Sequence, residues 1–355
     1  MATGEATLLE IYNLLISAED DASKGVFAAH IAERYLNYSD EELQEFFEQL
    51  AALQSEKKVS LFQSFTEVAN GLATLVKIRE HLGRKKPIQE LDQTLTAAFY
   101  PNKLELWVIE WEPNEVLTQN IIDNERVHYI EGKQDLQHRI EPQDRRIYGL
   151  FHPSMPDDPV NYIEVAFTQG IASSMEALLH YGREVLDPKD ADTAIFYSIN
   201  ACQKGLGGME FDGISFGGHL IKKVAGELQR DDSLQISTFS TLSPIPGFVE
   251  WLDEKTDKPF TDFTESELID LAAAYLLEGN DPVAKFHLGN GATLEIINYE
   301  ADLSENGLKQ SEGLMANYVY YTDELETRRE TYKATKIVAA PESITDRPIP
   351  SIASR

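Results

Sequence analysis

Apolar positions in the first hundred residues recur at helical spacing. Leu43, Phe46, Phe47, Leu50 and Leu53 fall along one face of a helix. Ser39-Asp40-Glu41-Glu42 precedes them in the form of a capping box, with Ser39 as N-cap and Glu42 three positions on. A longer helix is predicted over 59–82, stopped by Gly83. The basic run Arg84-Lys85-Lys86 then suits a helix C-terminus, or is a plain solvated end. Pro101 ends a further helix. Near Asn102 the pattern changes. LELWVIEW (104–111) is apolar and aromatic and predicts a strand. More strands are predicted at 147–151, 162–167, 194–200 and 234–239, and helices at 171–184, 217–229, 248–253 and 265–277. Thr264-Glu265-Ser266-Glu267 marks the start of the last helix, with Phe263 and Leu268 set for a hydrophobic staple. Strands alternating with helices predict an α/β or mixed α+β domain over 103–355, after a helical domain over 1–102. The tail from Ala340 is polar and proline-containing, and is predicted to be extended or loose. No internal repeat is visible.

Composition narrows the function. A chain of 355 residues, 42% hydrophobic, is ample for two folded domains. Sixty acidic residues against 31 basic give a net charge of −29. Such a field repels phosphate backbones and anionic lipid, so neither nucleic-acid nor membrane-surface binding is expected. An anionic substrate would have to be drawn in by local lysines, arginines or helix N-termini. The single cysteine, Cys202, excludes an intrachain disulfide and any Cys-x-x-Cys zinc or redox pattern. No two histidines lie three or four apart, so no helical zinc pair and no metal are expected. The N-terminus shows no basic stretch before an apolar run, and no window of about 18 apolar residues occurs. The C-terminus, Ile352-Ala353-Ser354-Arg355, is not a Ser-Lys-Leu address. A cytoplasmic location is expected.

Candidate chemistry concentrates after residue 195. Gln203-Lys204-Gly205-Leu206-Gly207-Gly208 follows a predicted strand. Gly213-Ile214-Ser215-Phe216-Gly217-Gly218 runs into a predicted helix carrying Ile221, Lys222, Lys223 and Val224. Glycines let backbone N–H groups approach a ligand, and a helix N-terminus adds partial positive charge. The stretch is therefore an anion cradle for phosphate or pyrophosphate, or else a glycine-rich connection with no ligand. It fits neither Gly-x-Gly-x-x-Gly nor the Walker pattern. Gly213-x-Ser215-x-Gly217 matches a nucleophile elbow, although Asp212 and Gly213 interrupt the strand that should feed one. In STLSPIPGF (240–248), two prolines stiffen the turn around Ser243, as a catalytic hydroxyl needs; a serine that only caps the turn is the plainer reading. His287, in FHLGNGA, stands just before an Asn-Gly reversal. A lone histidine is commonly structural, and His152 is a similar case. Tyr318 and Tyr320 share one face if their segment is extended, and core is their plain reading.

The blocks DRRIYGLFHPSMP (144–156), YIEVAFTQGI (162–171), FYSINACQKGLGG (196–208), HLIKKV (219–224), TLSPIPGF (241–248), FHLGNGATLE (286–295) and GLMANYVY (313–320) together resemble the malonyl-CoA decarboxylase family, in that family's order. The resemblance implies an α+β protein: an N-terminal all-helical bundle, through which the family tends to form homo-oligomers, followed by a GNAT-like (acetyltransferase-fold) mixed-sheet catalytic domain. It implies Ser243 and His287 as the catalytic serine and histidine, with Tyr320 lining the site. It implies a CoA-binding segment comprising Gln203, Gly205, Gly207, Gly208, Gly213, Ile214, Ser215, Phe216, Gly217, Gly218 and Lys222, with Asn290 near the substrate. Two positions depart from the family. Animal-type members carry a glutamate before the Ile-Lys pair; an ungapped count back from Ile221-Lys222 reaches Ser215, and Glu210 takes the place only with an insertion. Ile296, two before Asn298, stands where arginine is common.

The implied reaction turns malonyl-CoA into acetyl-CoA and CO2 through a thioester enolate, with no metal or organic cofactor. A histidine titrating near neutral pH suits proton delivery to C2, and Ser243 would hydrogen-bond the carboxylate or enolate oxygen. Alternative readings are an acyl-CoA transferase or loading enzyme on the same fold, a serine hydrolase built from Ser215, His287 and Asp253 or Asp270, and a silent CoA-binding regulator.

Overall fold

The computed structural model describes residues 7–83, 88–111 and 114–348, so the run Arg84-Lys85-Lys86 lies outside the described residues. Six helices come first: Leu8–Ser17, Asp21–Arg34, Asp40–Ala52, Ser55–Thr66, Gly71–Leu82 and Gln89–Ala98. The Ser39 capping box forms as expected: Glu42 N–H donates to Ser39 Oγ at 3.3 Å, and Ser39 N–H donates to the Glu42 carboxylate at 2.9 Å. The single helix expected over 59–82 is two helices, parted at Asn70, whose φ of 58° is left-handed. Asparagine tolerates that conformation. Both helices bury apolar faces, Phe62 and Phe65 in one and Leu72 and Leu75 in the other, so the periodicity runs on across the break.

Among the described residues ten strands follow: β1 Glu105–Ile109, β2 Arg145–Phe151, β3 Asn161–Thr168, β4 Thr193–Ala201, β5 Glu210–Phe211, β6 Ile214–Ser215, β7 Thr238–Thr241, β8 Ser243–Pro244, β9 Thr293–Asn298 and β10 Met315–Val319. The main sheet runs β1-β2-β3-β4-β7-β10-β8, with β9 paired to β10; β5 and β6 form a separate hairpin. β4 and β7 pair in parallel from Thr193 opposite Thr238 to Phe196 opposite Thr241, whereas β10 is antiparallel to β7, β8 and β9. A helical region followed by a mixed sheet is the α+β arrangement expected.

By contacts the chain gathers into two compact units. One comprises 1–107, 150–161 and 201–216; the other comprises 108–149, 162–200 and 217–355. A single cut near Asn102 therefore does not reproduce them. The first unit buries Phe46, Phe62, Phe65, Leu75, Leu95 and Phe99. The second has a core cluster that includes Ala166, Met175, Ile195, Tyr197, Leu242 and Met315.

Three expectations are corrected. The helix expected over 171–184 is only Met175–Leu179, because Ser174 caps it from its own hydroxyl, which accepts from Ala177 N–H, and His180 turns extended. The strand expected over 234–239 begins at Thr238, where it first meets β4. The tail is not loose through residue 348: Glu342–Thr345 is a short helix, Ile344 is buried, Arg347 pairs with Asp270 at 2.7 Å, and Leu294 N–H donates to Ala339 C=O at 2.9 Å. Among the described residues no helix is long and apolar enough to cross a membrane.

Candidate active site

The site grows out of the end of a parallel pairing. β7 leaves β4 after Thr241, and two residues later Ser243 sits in β8 opposite Ala316 of β10. Leu242 and Ile245 are fully buried on either side of Ser243-Pro244, so the stiff turn is anchored by burial as well as by proline. His287 comes from the helix Pro282–Gly289, in its last turn. Asp281 caps that helix by accepting Ala284 N–H at 2.7 Å. Tyr320 follows β10 directly, its N–H donating to Phe239 C=O at 2.8 Å.

These three side chains meet. Ser243 Oγ lies 3.1 Å from His287 Nε2, and the Tyr320 hydroxyl lies 2.7 Å from His287 Nδ1. Tyr318 stacks on the imidazole, centroids 4.7 Å apart and planes 21° apart. Ser243, His287 and Tyr320 are all buried, with His287 4% exposed. That burial decides the chemistry. Without a carboxylate to compensate it, loss of solvent pushes His287 down to about 3, so the ring is neutral at pH 7. A histidine titrating near neutral pH, as expected from the sequence, is not what the structure holds. Burial pushes the Tyr320 phenol upward, so it keeps its proton.

The proton direction follows. The Tyr320 hydroxyl has no hydrogen-bond partner but His287 among the described residues, so it donates to Nδ1. A neutral ring that accepts at Nδ1 carries its own proton on Nε2 and donates it to Ser243 Oγ. Ser243 in turn donates to Thr241 Oγ1 at 2.9 Å, which also accepts Tyr318 N–H at 3.1 Å. Asn317 holds this corner: its amide donates to Thr241 C=O at 2.6 Å and Ala172 C=O at 3.0 Å, and its oxygen accepts from Asn298 at 2.6 Å. Thr241 lies in the same SPIPGF-containing block as Ser243, but no local pattern signals that its hydroxyl touches the serine.

The glycine-rich residues divide between the two units. In the first, Gly205 is buried in the short turn Lys204–Leu206, while Lys204, Gly207 and Gly208 are exposed. Gln203 donates to Pro159 C=O at 3.1 Å. Glu210 faces Ser215 and Phe211 faces Ile214 in the β5–β6 hairpin, with Gly213 in its turn. Phe216 packs against Phe211 and opens the helix Phe216–Arg230. In the second unit, Gly217 lies so close to Phe286, the neighbour of His287, that a Cβ would come within 2.8 Å of its ring. Gly218 is buried and Lys222 is exposed on that helix. Asn290 closes the His287 helix by donating to Phe286 C=O at 2.8 Å. Glu210 is exposed, and Ile296 is 39% exposed on β9.

The hydrolase constellation is not assembled. Both His287 nitrogens are engaged by Ser243 and Tyr320, Asp270 is held by Arg347, and Asp253 is exposed. A cavity of about 1130 Å³ in the second unit, lined by residues including Glu125, His128, Met175 and Asp302, contains none of the expected site residues.

Residues 103–274 and 254–354 match the profile of the family described as "Malonyl-CoA decarboxylase C-terminal domain". The mitochondrial malonyl-CoA decarboxylase of the goose Anser anser anser is 33% identical over 372 residues, covering 84% of this chain and 72% of that protein. The mouse protein of the same name is 31% identical, covering 80% and 69%. Crystal structures titled malonyl-CoA decarboxylase from Agrobacterium vitis and Rhodopseudomonas palustris superpose with TM-scores of 0.83 and 0.78. They are 30% and 31% identical, cover 97% and 96% of this chain, and are each covered over 100% of their own length.

Proposed function

The chain belongs to the malonyl-CoA decarboxylase family, and from that premise we propose that it converts malonyl-CoA to acetyl-CoA and CO2 at Ser243, His287 and Tyr320. The observation that carries the assignment is the uncharged hydrogen-bonded series Tyr320–His287–Ser243. When the C2–carboxylate bond breaks, its electron pair passes into the thioester carbonyl and gives an enolate. Ser243 turns its O–H from Thr241 toward the substrate and stabilises that oxygen; one well-placed donor in a dry site contributes roughly 3–4 kcal/mol. The enolate carbon is basic enough to take a proton from a neutral hydroxyl. Ser243 is reprotonated from His287 Nε2–H, with the Tyr320 hydroxyl supporting Nδ1, and water finally replaces the proton consumed. No imidazolium is needed, which suits a ring that burial keeps neutral. No metal or organic cofactor is required either, because the thioester is itself the electron sink.

The backbone N–H groups of the glycine-rich segment would hold the CoA phosphates. Beyond Phe196 and Thr241, where the parallel pairing stops, β4 offers an edge to the extended pantetheine arm. A cytoplasmic location and self-assembly through the helical region complete the reading, to be checked by cell fractionation and gel filtration. Incubation with malonyl-CoA and mass analysis of the CoA products is the direct test. Acetyl-CoA is the expected product, and Ser243→Ala and His287→Ala are expected to lower kcat by about 10²–10³. Full activity in both variants would reject the assigned roles. Acetyl groups delivered to an added amine would favour a transferase instead.

A further inference from the structure

We propose that Arg79, from the helical region and outside every block of resemblance, is a positioning residue that sets the glycine-rich loop for phosphate binding; the inference rests on the reading of that loop as the CoA site. The helix Gly71–Leu82 lies directly against the turn Lys204–Leu206, within one compact unit. The approach is close enough that a Cβ on Gly205 would fall 2.0 Å from Val76 C=O, so no other residue fits there. From the next turn of the same helix, the Arg79 guanidinium donates to Gly205 C=O at 2.5 Å and Gly207 C=O at 3.2 Å. Its Nε donates to Asp92 at 2.6 Å, which locks the plane of the fork.

Peptide planarity turns this anchoring into function. The C=O of Gly207 and the N–H of Gly208 belong to one flat unit and point in opposite directions. With the carbonyl drawn toward Arg79, the N–H is turned outward. Gly207 N–H donates to Lys204 C=O and Met209 N–H to Leu206 C=O, but Gly208 N–H has no partner among the described residues. Gly208 is exposed and has φ of 77°, where a side chain would be strained. An outward N–H beside the exposed Lys204 is what a phosphate oxygen requires. Arg79 therefore acts on the ligand through the loop rather than by contact.

The test uses the full chain with malonyl-CoA turnover and calorimetric binding of free CoA. Arg79→Gln and Arg79→Lys are both expected to raise KM and the CoA Kd about tenfold, a loss of about 1.4 kcal/mol, with kcat held within about twofold. Lysine keeps the charge but not the two-pronged geometry, so it should not rescue. Asp92→Asn, which loosens the fork while keeping it, should shift KM in the same direction by a smaller factor. Melting curves show which variants are folded; should Arg79→Gln not fold, the lysine and Asp92 variants carry the test. Unchanged KM and Kd in a folded Arg79→Gln protein would overturn the inference, as would full rescue by lysine, which would assign the effect to charge alone. If the wild-type chain binds no CoA, the reading of the loop falls and the inference falls with it. If the wild type binds CoA and Arg79→Gln binds it equally, only the inference falls.

Discussion

Ser243 has two groups competing for its hydroxyl, and Thr241 is the one that keeps its proton off the imidazole. Replacing Thr241 by valine keeps the volume and removes the acceptor. Ser243 would then donate to Nε2 and force the other tautomer, leaving the Tyr320 proton without an acceptor. We expect kcat to fall about tenfold with KM little changed, and Thr241→Ser to restore it; a valine variant with wild-type kcat would contradict this ordering of protons. His287 also ties stability to pH. A free histidine protonates near 6.5, whereas this one is pushed down to about 3. Between those values the unfolded chain takes a proton that the folded chain refuses, so the contribution is complete above about 6.5 and is lost as pH falls toward 3. The melting temperature should drop between pH 6.5 and pH 4.5, roughly, and drop less in His287→Gln. Parallel curves for the two proteins would refute it. Ser243, His287 and Tyr320 could be named as candidates because each stands in a distinctive block, and the structure brings their side chains together. The neutrality of His287 was not, because desolvation depends on Tyr318 and on packing that no local pattern encodes.

The helix that delivers His287 is only eight residues long, too short to hold itself together without its cap and its packing. Asp281 supplies the cap, yet it is fully buried, and burial pushes its carboxyl up to about 6. The cost of keeping it buried therefore builds as pH rises from the ordinary carboxyl value toward about 6 and is complete above that. Asp281→Asn keeps the acceptor and removes the charge, so at pH 8 it should melt no lower than wild type. Asp281→Ala loses the cap and should cost about 1 kcal/mol and reduce kcat as the helix end frays. A destabilisation equal in both variants would show that charge, not capping, matters there. Caps were the most legible elements: the Ser39 and Thr264 boxes both form, since each involves residues three apart. The break at Asn70 and the late start of β7 were not legible. The first hides within continuous apolar periodicity, and the second is fixed by a partner strand some forty-five residues away.

At the scale of the whole chain, a charge of −29 opposes an anionic thioester at long range, while the lysines and backbone N–H groups proposed to hold it would attract it nearby. Raising salt from about 10 mM to about 150 mM shortens the screening length from about 30 Å to about 8 Å. Distant repulsion should weaken more than close contacts, so KM for malonyl-CoA should fall over that range; a steady rise would show that the local cations dominate. The passage from a helical region to a mixed sheet was legible from the switch of period near Asn102. The recruitment of 150–161 and 201–216 into the unit that holds the first six helices was not, because their prolines and glycines mark loops without saying against what those loops pack. The returning tail has a consequence of a different kind. Among the described residues β9 has only β10 as a strand partner, and on its far side Ala339 meets Leu294. A chain cut after Lys336 would bare a ribbon of unpaired donors and acceptors to its neighbours in solution, and such a ribbon templates β-addition. The first symptom of that truncation would be turbidity growing with concentration and time, ahead of any slowing of turnover.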